Sequence, residues 1–129
     1  MRSGFVLTLV VSFVSQAAVA DVKRYKSMPQ PLWGTWGLSA EACKNSDAST
    51  FTVSGANVRT SEANCIIDSV SETPSERGPK YSALLRCPKE GTKGPIPESI
   101  IVLWPRADGG VSSGPGLGQL KDYQRCPEK

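Results

Sequence analysis

From Trp33 onward the chain carries short apolar segments separated by clusters of Gly, Pro, Ser and Asn, and none is long enough for a core helix. With 12 glycines and 10 prolines in 129 residues, breakers recur often enough to keep every element short. The segments themselves read as strands. Phe51-Thr52-Val53-Ser54 alternates, and Gly55-Ala56-Asn57 offers a turn into Val58-Arg59-Thr60. Cys65 to Val70 is β-branched, Tyr81 to Cys87 ends at Pro88, and Leu120 to Cys126 alternates again. Ser99 to Trp104 is apolar on both faces and bounded by Pro97 and Pro105, as a buried strand would be. The stretches 73–80, 88–97 and 105–118 are rich in breakers and read as loops. Only Leu38 to Lys44 offers a helical turn, with Ser39 as its N-cap. No internal repeat is present. Six to eight short strands with hairpin-length loops predict an all-β domain, a small antiparallel barrel or a sandwich.

The N-terminus has a different character. A basic start, Met1 to Gly4, leads into the apolar run Phe5 to Val14 and then the small-residue triplet Ala18-Val19-Ala20. A membrane-spanning helix needs roughly 20 apolar residues, and this run is about half that. Residues 1–20 therefore read as a secretory signal peptide cut before Asp21. That reading sends the chain to the periplasm or outside the cell, with no membrane span in the mature part. Removing 20 of the 129 residues leaves 109, enough for one domain and too few for two.

A domain of that size has a modest core, and covalent staples help it. Cys43, Cys65, Cys87 and Cys126 are even in number, all lie in the mature part, and none belongs to a C-x-x-C. In an oxidising compartment they predict two disulfides, with three pairings open.

The formal charge of +3 becomes +2 once Arg2 leaves with the signal, too little to steer the whole molecule onto nucleic acid. Lys23, Arg24 and Lys26 crowd the new N-terminus, within a segment 21–32 that Pro29 and Pro31 keep out of regular helix. This basic arm, with Tyr25 in its midst, is a candidate partner-binding element for a protein or for an anionic envelope component. The chain contains no histidine, which removes Ser-His-Asp and Cys-His chemistry and the usual zinc ligand sets. Its twelve acids form no obvious pair, so no catalytic, metal or cofactor site is expected. Gly110-Val111-Ser112-Ser113-Gly114 matches G-x-S-x-G, but a nucleophile elbow needs a strand-to-helix turn and a histidine base. Gly114-Pro115-Gly116-Leu117-Gly118 lacks the phosphate-loop lysine and reads as a connector. Asn45, Asn57 and Asn64 all fail the glycosylation pattern at the third position.

Gly34-Thr35-Trp36 opens the domain 33–129. Glycine allows close backbone approach there, and Trp36 is large enough to plug one end of a small barrel. The guanidinium of Arg125, late in the last strand, is placed to stack on that ring and to bond nearby carbonyls.

A Gly-x-Trp near the start and an arginine on the last strand resemble lipocalin-like, calycin-type barrels. Gly34-Thr35-Trp36-Gly37-Leu38-Ser39, followed by Cys43 and Cys65, is similar to the small periplasmic metalloprotease inhibitors of Gram-negative bacteria. That resemblance implies a Cys43–Cys65 bridge, Trp36 as a structural plug, and Asp21 to Ser27 as a trunk that enters a protease cleft. The chain departs from the pattern in its extra pair, Cys87 and Cys126, and in its basic arm. The end Tyr123-Gln124-Arg125-Cys126 also resembles that of other small exported Cys-paired proteins of Gram-negative bacteria. The Ser-Gly-x-x-Tyr stretch of the periplasmic lysozyme inhibitors is not found. Together these features predict a non-catalytic exported binding protein acting on a hydrolase, a protease or lysozyme. The alternatives are a small-molecule carrier and an envelope-associated structural module.

Overall fold

A computed structural model describes residues 22–45, 49–89, 91 and 93–127. Residues 1–20, read from sequence as a signal peptide, and Asp21 lie outside the described residues. The strands are β1 (Lys23–Tyr25), β2 (Gly34–Gly37), β3 (Thr50–Val53), β4 (Asn57–Thr60), β5 (Asn64–Thr73), β6 (Lys80–Arg86), β7 (Glu98–Pro105), β8 (Val111–Gly114) and β9 (Lys121–Arg125). From β2 to β9 each strand pairs antiparallel with the next, and β9 pairs back onto β2 through Trp36 opposite Arg125. The result is a closed eight-stranded up-and-down barrel, which leaves none of those eight strands as an open edge. β1 is a ninth strand. It occupies the Val70–Glu72 part of the β5 edge, beyond the Asn64–Ile66 part taken by β4.

Side chains alternate as a barrel requires. Trp36, Phe51, Val53, Val58, Ile67, Val70, Ala83, Leu85, Leu103 and Val111 are buried in one continuous core. A β-bulge between Ile67 and Ser69 resets the alternation of β5, so that Ile67 and Val70 both reach the interior. The segment read as an arm is extended at Lys23–Tyr25 and hydrogen-bonded along β5. It then crosses one end of the barrel, where a 3-10 turn at Gln30–Leu32 follows Pro29 and buries Leu32 with Met28. The opposite end is the mouth.

The helical turn forms as α1 (Ala40–Asn45), with the Ala42 amide donating to Ser39 Oγ at 3.1 Å. β8 arises inside the breaker-rich stretch 105–118. Val111 supplies a fully buried anchor, and the β7 and β9 registers impose strand geometry on Ser112 and Ser113 that local propensity does not favour.

The two disulfides are Cys43–Cys126 and Cys65–Cys87, which corrects the Cys43–Cys65 bridge implied by resemblance. The barrel explains both pairings. Ile66 stands opposite Arg86, so the next residues along, Cys65 and Cys87, meet across the β5–β6 ladder. Cys65 is 6% exposed and packs in the core, whereas Cys43 sits on α1 outside the wall. Cys43 instead meets Cys126, just past β9, over the seam where β2 and β9 close the barrel. No helix among the described residues is long and apolar enough to cross a membrane.

Candidate functional site

The closed end is built around Trp36 and Arg125. The guanidinium carbon of Arg125 lies 4.2 Å from the Trp36 ring centroid. Its Nη1 donates to the Trp33 carbonyl at 2.6 Å and its Nη2 to the Pro31 carbonyl at 2.9 Å. Trp36 Nε1 donates to the Leu32 carbonyl at 3.1 Å. The crossing segment is therefore tied to the barrel by both residues. Sequence singled out these two, and the structure brings them together.

A second polar cluster fixes β1. Glu72 accepts from Tyr81 Oη at 2.8 Å and from Tyr25 Oη at 3.0 Å, one tyrosine on each carboxylate oxygen. Burial, then the hydrogen bond to Glu72 and its negative charge, push the Tyr81 phenol up to about 12. Tyr25 is also raised, chiefly by its bond to Glu72. Sequence named Tyr25 but missed Glu72 and Tyr81, because only the β1–β5–β6 register makes them neighbours. Lys23, Arg24 and Lys26 are exposed at this end. Among the described residues none of them forms an ion pair.

The mouth is shaped by the other disulfide. Beside Cys65, a recess of about 260 Å³ opens among Phe51, Val58, Leu85, Ile101 and Tyr123. Fully buried Val70, Ala83, Leu103 and Val111 fill the barrel interior. At the rim the Cys87 amide donates to the Pro97 carbonyl at 3.0 Å, so the disulfide and this bond together clamp the base of the 88–97 loop. Pro95, Ile96 and Pro97 stand exposed on it, Ile96 at 43%. The prolines were legible as breakers; the clamp was not, because it depends on the Cys65–Cys87 pairing.

The G-x-S-x-G match lies on β8. Ser112 is 3% exposed, donates to Asp122 Oδ1 at 2.8 Å and accepts from Arg77 Nη2 at 3.0 Å. Arg77 and Lys80 also lie over the Trp104 ring, at 4.5 and 5.0 Å from its centroid. These bonds hold the outer wall together and leave Ser112 no path to an external substrate. Among the described residues no group of three potential ligands is gathered for a metal ion.

Comparison with known protein families, curated proteins and solved structures finds no match to the chain.

Proposed function

We propose that the chain is an exported, non-catalytic binding protein that inhibits a hydrolase, a protease or lysozyme, in the periplasm or outside the cell. The observation that carries this reading is the clamped rim segment Pro95-Ile96-Pro97. Two prolines fix φ on either side of an exposed apolar side chain, and a disulfide with a backbone bond fixes the base. A segment held in this way loses little conformational freedom on entering a cleft, which is where affinity is gained without new contacts. The basic segment lies along β5, so the rim supplies the projecting element in this reading. The resemblance to lipocalin-like periplasmic inhibitors points the same way, as do the barrel form and the two staples.

The test is inhibition of metalloproteases, serine proteases and lysozymes by the purified protein, with Ile96→Asp beside it. Inhibition of one class that is lost in Ile96→Asp supports the reading. No inhibition of any class at micromolar concentration overturns it.

A small-molecule carrier is the second reading, favoured by the apolar recess at the mouth. Its volume of about 260 Å³ falls just below the roughly 300–1,000 Å³ usual for ligand pockets. A small apolar ligand, detected by native mass spectrometry of protein taken from its source, would favour this alternative.

A further inference from the structure

We infer that the outer wall of β1, β5 and β6 next to the closed end is a binding surface for an acidic polysaccharide bearing uronate carboxylates. The registers place Arg24, Ser71 and Ser82 in one row across three strands. Thr73 and Lys80 form the next row toward the closed end. All five lie on the face opposite the core residues Val70 and Ala83. Strand spacing and rise put the Arg24 and Lys80 backbones on the order of 12 Å apart along the diagonal. That span matches a few linked sugar units lying on the sheet.

The chemistry of the strip is that of sugar recognition. The hydroxyls of Ser71, Thr73 and Ser82 have no hydrogen-bond partner among the described residues, and each can donate and accept. Arg24 offers a planar fork suited to a carboxylate. Lys80 and Arg77 are held in place over Trp104, so fewer cation rotamers need ordering on binding. Nearby acids are mostly committed elsewhere. Glu72 turns to the opposite face, toward Tyr25 and Tyr81. Asp68 pairs with Arg86 at 2.8 Å, and Asp122 pairs with Arg106 at 3.1 Å. Among the described acids Glu76, in the β5–β6 turn, is the one at the strip without such a partner.

The strip's own side chains are polar, and its one exposed apolar neighbour, Val22 beside Thr73, is a single small side chain, too little to anchor in a lipid interface. The Trp104 ring is capped by two cations and is not free to stack on a base. A glycan with carboxylates is the partner that uses both the hydroxyls and the cations.

The experiment measures binding of the purified protein to polygalacturonate, to uncharged dextran and to phosphatidylglycerol vesicles at low and moderate salt. Selective binding to polygalacturonate is expected. Losing two charge-assisted contacts in Arg24→Ala/Lys80→Ala should weaken it about tenfold or more. An equal charge loss elsewhere, Lys44→Ala/Lys121→Ala, should change it less than about twofold. Ser71→Val/Ser82→Val keeps every charge and should also weaken binding, while an unchanged thermal midpoint shows that each variant is folded. Equal losses in the two charge variants, vesicle binding in place of glycan binding, or no binding to polygalacturonate at low salt would overturn the inference. The strip is separate from the rim, so Ile96→Asp should leave glycan binding intact and Arg24→Ala/Lys80→Ala should leave inhibition intact.

Discussion

Arg125 and Trp36 are cross-strand partners at the seam where the last strand closes on the first barrel strand, with the guanidinium 4.2 Å from the indole centroid. The same guanidinium carries the carbonyls of Pro31 and Trp33, so one side chain joins barrel closure to the crossing segment. The approach is close. A Cβ on Gly34, where φ is +132°, would stand 2.7 Å from Arg125 Nη1.

Trp36→Ala should therefore lower unfolding free energy by about 3–5 kcal/mol, as for a large buried aromatic. Arg125→Ala should cost about 1–3 kcal/mol, because two carbonyls lose a charged donor. Arg125→Lys should recover little, since an ammonium cannot stack flat on the ring and reach both carbonyls. Urea denaturation of the three variants checks the order; a fully stable Trp36→Ala would remove the plug from the account.

The disulfides make unequal contributions. Cys43–Cys126 spans 83 residues and Cys65–Cys87 spans 22. In the chain-entropy view these closures contribute roughly 4.5 and 3.4 kcal/mol. Replacing Cys43 and Cys126 together by Ala should lower the denaturation midpoint more than replacing Cys65 and Cys87. Peptide mapping without reduction checks the pairing itself.

Much of this fold was legible in the residues. The breaker spacing marked out most of the strands, Ser39 marked the cap of α1, and Gly34-Thr35-Trp36 together with Arg125 marked the closed end. What was not legible depends on register. β8 is a strand because β7 and β9 flank Val111, and a Gly/Ser-rich sequence alone gives no such sign. Glu72 gathers Tyr25 and Tyr81 from 47 and 9 residues away, a distance no local pattern reports. The cysteine pairing followed the face each cysteine occupies, which spacing does not encode.

The tyrosine cluster gives the protein an alkaline limit. The folded chain holds the Tyr81 proton up to about pH 12, whereas the ordinary phenol releases it near 10. The folded state thus binds more protons than the unfolded state between these values, and stability must fall as pH rises through that window. Below pH 10 this contribution is whole. In a Tyr25→Phe/Tyr123→Phe background Tyr81 is the one remaining tyrosine of the three, so tyrosinate absorbance reports it alone. Adding Glu72→Gln removes the negative charge and should lower that titration, while burial keeps it above the ordinary value.

Gly37 offers the sharpest test of the seam, because its side chain is missing where two sulfurs sit. A Cβ there would stand 2.8 Å from Cys43 Sγ and 3.2 Å from Cys126 Sγ. Gly37→Ala should cost about 1–3 kcal/mol by overpacking with the disulfide present. Without it, the crowding has no cause, and alanine's smaller unfolded-state entropy should stabilise by up to about 1 kcal/mol. The substitution should therefore change sign between the native background and Cys43→Ala/Cys126→Ala, a coupling that a double-mutant cycle reads directly. The same cost in both backgrounds would mean that Gly37 is required by something other than the staple, and that α1 does not bear on the seam through Cys43.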